Sequence, residues 1–87
     1  MSNSAGPFPE LAALIEDMEK SVPEHLLPHV AKAEQVAVVL QTTPDALAQD
    51  RYRRRGVPWV KIGGRVRYLR ADVLKFLADN RIGGDAA

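Results

Sequence analysis

Val57-Pro58-Trp59-Val60-Lys61-Ile62-Gly63-Gly64-Arg65-Val66-Arg67-Tyr68-Leu69 is the stretch on which the fold turns. Both of its arms alternate: Val60 and Ile62 flank Lys61, and Val66 and Tyr68 interleave with Arg65 and Arg67. Period-two alternation on either side of a glycine pair is the pattern of a β-hairpin. Face parity then bears on the loop. A two-residue Gly63-Gly64 turn sets Ile62 opposite Arg65 and Lys61 beside Val66. A three-residue loop, Gly63 to Arg65, pairs Ile62 with Val66 and Lys61 with Arg67, keeping one face apolar and gathering cations on the other. The odd-length loop is therefore expected, with Arg65 at its tip. Trp59 and Tyr68 are expected to pack the hairpin against the next helix rather than to stack on bases. The chain has few other large side chains to fill a core, and Phe76 is assigned to it on the same ground.

Upstream of the hairpin, Ala33, Val36, Ala37, Val39 and Leu40 supply one side of a helix over about Ala31–Leu40. Gln41-Thr42-Thr43 breaks it. Thr43 is a good N-cap, Pro44 suits the first helical position, and Asp45 favours the positive end of the helix dipole. A second helix is therefore expected from Pro44 to about Arg54, ending before Gly56. Downstream, Val73, Leu74, Phe76 and Leu77 give the apolar face of a helix over Ala71–Asn80, with Asp72 in its first turn. Gly83-Gly84-Asp85-Ala86-Ala87 reads as a loose tail.

Further out, Gly6, Pro7 and Pro9 oppose regular structure, and residues 1–9 read as a flexible lead-in. Leu11, Leu14, Ile15, Met18 and Val22 then recur at helical spacing among Glu10, Glu16, Asp17, Glu19 and Lys20. This is a short amphipathic helix ending before Pro23. Its stripe is expected to be core, with self-association through Leu11, Leu14, Ile15 and Met18 as the other use. Ser21 to Glu24 has capping-box spacing, so a brief helical turn is expected to start there, cut short by Pro28. The expected organisation is an N-terminal extension over 1–29, a domain over 30–81 and a flexible tail over 82–87. No internal repeat is visible.

The net charge of +1 conceals how the charges are placed. Residues 1–50 carry −6 and residues 51–87 carry +7; between Asp50 and Asp72 stand eight cations and no acid. Such asymmetry points to a segment that faces a polyanion, against the plainer reading of a solvated basic face.

Two helices joined by a three-residue break, a basic hairpin and a packing helix make the order of a helix-turn-helix with a wing. From about Val30 to Asn80 the chain resembles the excisionase-type, MerR-like winged helix-turn-helix family of phages and bacteria. The likeness rests on AEQVAVVLQTTPDAL, RYRRRGVPWVKIGGRVRY and RADVLKFL, about 50 of the 87 residues. It implies a mainly α fold with a small β-hairpin and the N-terminal helix added. It also implies sequence-specific binding to double-stranded DNA, as an excisionase that bends attachment-site DNA for an integrase or other recombinase, or as a transcriptional regulator. Gln41 stands where such turns often carry glycine. Asp50 stands where an apolar residue is commonly buried, and Tyr52 is expected to make that contact instead. The resemblance puts Thr43, Asp45, Gln49 and Arg53 toward the major groove and Arg54 and Arg55 on phosphates. In the wing, Lys61, Gly63, Gly64, Arg65 and Arg67 face DNA, with Arg65 in the minor groove. Gln49 suits adenine, Arg53 suits guanine or phosphate, and Asp45 suits cytosine or the helix start itself.

Enzymatic readings find little. There is no cysteine, so disulfides, thiolate catalysis and cysteine-ligated zinc are out. His25 and His29 are four apart, but Pro28 lies between them and no third ligand is evident. No nucleophile elbow and no phosphate-binding loop is present, and no cofactor is expected. No apolar run approaches the roughly 20 residues that span a bilayer, and Met1-Ser2-Asn3-Ser4 lacks the character of a secretory signal. A non-enzymatic cytoplasmic protein is the expectation, with an interaction module using the acidic N-terminal helix as the rival reading.

Overall fold

The computed structural model describes the backbone of residues 9–86 and the side chains of residues 12–80. Its elements are α1 (Pro9–Ser21), β1 (Val30–Ala31), α2 (Ala33–Leu40), α3 (Pro44–Tyr52), β2 (Val60–Ile62), β3 (Arg65–Leu69) and α4 (Arg70–Ala86). The fold is mainly α with a small antiparallel sheet of order β1-β3-β2. Residues 1–8, most of the expected lead-in, lie outside the described residues. No described helix is long and apolar enough to cross a membrane.

The core forms where the helices and the inner face of the sheet meet. Leu27, Ala31, Val36, Ala37, Leu47, Val57, Tyr68, Val73 and Leu74 are buried together. Tyr68 and Leu74 are among the largest fully buried side chains. Phe76 and Val66 pack against this cluster from its margin. Truncating a residue such as Leu74 to alanine would cost about 2–5 kcal/mol, a large part of what a domain of this size has. Trp59 departs from its expected place: it is 41 % exposed and outside the core.

Three expectations about element boundaries are corrected. Ala31, assigned to the start of a helix, forms with Val30 a strand whose partners are Tyr68 and Leu69. Arg70 N–H donates to the His29 carbonyl at 2.9 Å and continues that ladder. Helix α2 therefore starts only at Ala33, and Gln35 reaches back to accept from Lys32 N–H at 2.8 Å. Helix α4 runs on past Asn80 to Ala86, through the stretch read as a tail. Finally, Ser21 does not cap a new turn. Its hydroxyl donates back to the Asp17 carbonyl within α1, and the single turn after it is held by Leu26 and Leu27 N–H donating to the Pro23 carbonyl.

Helix α1 lies against α4, and Met18 and Val22 pack on the core. Arg70 secures this arrangement. It is 2 % exposed, and its guanidinium donates to the carbonyls of Leu27 (2.6 Å), Glu19 (2.9 Å) and Val22 (2.6 Å). The Glu19 carboxylate accepts from Nε at 3.3 Å. The buried charge is thus hydrogen-bonded at every nitrogen, as burial requires.

Candidate nucleic-acid interface

Helices α2 and α3 are joined by the residues predicted to join them. Thr43 has an extended backbone and its Oγ1 accepts from Ala46 N–H at 3.0 Å, so it caps α3 as expected, ahead of Pro44. Gln41 takes the left-handed conformation (φ 57°) at the end of α2. Thr42 N–H bonds the Ala37 carbonyl and Gln41 N–H the Val38 carbonyl. This is a Schellman closure, in which glycine is the usual left-handed residue. The turn keeps its shape with glutamine in that place.

The same closure recurs at the end of α3. Arg55 N–H bonds the Asp50 carbonyl at 2.9 Å, Arg54 N–H the Arg51 carbonyl at 3.0 Å, and Arg54 has φ 58°. Asp50 explains itself here. Its carboxylate accepts from Arg55 Nε at 3.1 Å, and the chain folds so closely over it that a Cβ on Gly56 would come within 3.0 Å of Asp50. Gly56, at φ +87°, is required twice over. Asp50 therefore shapes the exit from α3 rather than leaving a gap in the core. Tyr52 does not substitute for it: 89 % of its surface is exposed.

Helical periodicity sorts the rest of α3. Leu47 is buried, and Arg51, one turn on, donates to the Tyr68 hydroxyl at 2.6 Å. At 5.9 Å from the ring centroid its cation–π contribution is at the limit of reach, so the hydrogen bond dominates. Asp45, Gln49, Tyr52 and Arg53 lie on the opposite side, spaced four, three and one apart, and all are exposed. Tyr52 was legible as part of this stripe from its distance of seven residues from Asp45. Just beyond, Arg51, Arg54, Arg55 and Trp59 border a shallow open hollow of about 580 Å³. Arg51 and Arg70 are thus committed to the fold, and the exposed cations of the acid-free stretch are Arg53, Arg54, Arg55, Lys61 and Arg65.

The hairpin has the register that parity disfavoured. Ile62 pairs with Arg65, Lys61 with Val66 and Val60 with Arg67. Gly63 (φ 58°) and Gly64 (φ 79°) form a two-residue turn with both central residues left-handed. That is type I′ geometry, whose twist matches the strands it joins. Lys61 consequently shares the sheet face of Val66 and Tyr68, the side from which Tyr68 meets Arg51 of α3. Arg65 and Arg67 share the other face with Val60 and Ile62. The three wing cations are split, not gathered.

Among the described residues no group of three His, Cys, Asp or Glu side chains could hold a metal ion. His29 Nε2 stands 3.4 Å from the Glu24 carboxylate, and both are exposed. Compared with protein-family models, curated proteins and solved structures, the chain matches none.

Proposed function

We propose that the chain is a winged helix-turn-helix protein that binds double-stranded DNA, with α3 lying in the major groove and the β2–β3 hairpin as its wing. The observation that carries this reading is the exposed stripe Asp45–Gln49–Tyr52–Arg53, continued by Arg54 and Arg55 past the end of the helix. Gln49 presents the donor and acceptor that pair with adenine, and Arg53 reaches guanine or phosphate. Tyr52 adds an aromatic edge for a thymine methyl or a phosphate. Arg54 and the outer nitrogens of Arg55 clamp phosphates, and Thr43, whose oxygen is engaged by Ala46, keeps its O–H for another. Asp45 accepts from cytosine or supports the helix start. On the wing, the exposed Lys61 and the Gly63-Gly64 backbone would contact DNA.

An architectural role follows from the same resemblance. The protein would bend phage attachment-site DNA and help a recombinase assemble for excision, supplying no catalytic group. A bending assay on attachment-site and promoter duplexes tests this. Bending of attachment-site DNA is the expected result. Binding to promoter DNA without bending would instead favour a transcriptional regulator, and no duplex affinity at low salt would overturn DNA binding altogether.

A further inference from the structure

The register that separates Lys61 from the other wing cations gives the sheet a second surface. Its outer face, away from Tyr68 and the core, carries Val30 on β1, Arg67 and Arg65 on β3, and Val60 and Ile62 on β2. Val30 is 46 % and Ile62 53 % exposed, although the odd-length loop would have turned Ile62 to the inner face. Val30, Ile62, Gly63, Arg65 and Arg67 border an open hollow of about 420 Å³. Among the described residues no carboxylate pairs with Arg65 or Arg67.

We infer that this face docks an extended protein segment that is both acidic and apolar, supplied by a protein partner. Arg67 Nη1 donates to the Val66 carbonyl at 2.7 Å, which leaves its Nε–Nη2 edge and the Arg65 fork, two residues apart on one strand, to match carboxylates at the same spacing on an opposing segment. Apolar side chains two residues before and after those carboxylates, which point to the same side of an extended segment, cover Val30 and Ile62. A phosphate backbone satisfies only the first half of that pattern, because it has nothing to bury against a β-branched pair. The inference is independent of DNA binding through α3.

The test uses the full-length, isotope-labelled protein and a synthetic peptide probe, Thr-Val-Thr-Asp-Thr-Asp-Thr-Val-Thr, in which two aspartates and a flanking valine on either side share one face. A control peptide replaces each valine by serine at the same charge. Amide shifts confined to Val30, Ile62, Arg65 and Arg67 with the first peptide are expected. Binding should weaken about tenfold with the serine peptide, and about tenfold in a double variant Arg65→Glu and Arg67→Glu. Ile62→Ser, at an exposed position, should weaken it with an unchanged melting temperature. Equal binding of both peptides, shifts mapping to the Arg54–Trp59 hollow, or no shifts would overturn the inference. So would shifts at these residues that grow with protein concentration alone, which would make the occupant a second copy. A duplex titration is the separate arm. Shifts at Gln49, Tyr52 and Arg53 without change on the outer sheet face agree with both assignments. Strong outer-face shifts on adding duplex would make this a DNA surface and refute the inference, whereas silence of α3 would count only against DNA binding.

Discussion

Gln41 and Arg54 occupy the same station at the ends of consecutive helices, each left-handed where glycine is the easy choice. A non-glycine residue there costs about 1–2 kcal/mol of backbone strain. Gln41→Gly is expected to raise stability by about 1 kcal/mol in denaturant unfolding, with duplex affinity unchanged. Arg54→Gly should raise stability by about the same amount yet weaken duplex binding, with the salt slope shallower by about one. At this scale the sequence was legible where the partner is local: Thr43 caps as its type and position require. Asp50 was not, because its partners come from the backbone fold after the helix. Arg70 was counted as a surface cation, since nothing in its neighbourhood along the chain shows carbonyls converging from residues 19–27.

At the scale of elements, the hairpin shows which of two forces decides a register. Side-chain sorting favoured a three-residue loop; the Gly63-Gly64 pair, free to take positive φ twice, favours the tighter turn. Sorting could lose because Ile62 is left half exposed on the outer face without disturbing the inner one. Gly63→Asn is expected to be tolerated and Gly64→Ala to cost about 1–2 kcal/mol by chemical denaturation. No atom lies within 4 Å of a Cβ at either glycine, so that cost is conformational alone. Local signals were reliable for the helices: spacing marks most of α2 and the buried face of α4, and Thr43 and Pro44 mark the start of α3. The two-residue strand β1 is too short to show an alternation, so Ala31 reads as the start of a helix. On α3, Tyr52→Ala should leave the melting temperature unchanged and weaken duplex binding by about tenfold, measured by fluorescence anisotropy.

Taken whole, the molecule packs an acidic first half against a basic second half around a shared core, and buried Arg70 ties residues 19–27 to the start of α4. Arg70→Ala would leave three carbonyls without their donor and release α1 from α4, an expected loss of about 3–5 kcal/mol by thermal or chemical unfolding. Arg70→Lys should not rescue it, because a single ammonium cannot reach acceptors spread around a planar fork. From the N-terminal side of residue 29, Leu27 is buried with Leu74, and Met18 and Val22 pack against that cluster. The basic half remains the surface on which the functional proposal stands. Its most direct test is duplex affinity measured across about 50 to 200 mM salt, for the native chain and for Arg53→Ala with Arg54→Ala. The proposal predicts a log–log slope that falls by about 0.9 for each lost phosphate contact, together with weaker binding. Absence of duplex binding at the lowest salt, or a slope that the double substitution leaves unchanged, would contradict it.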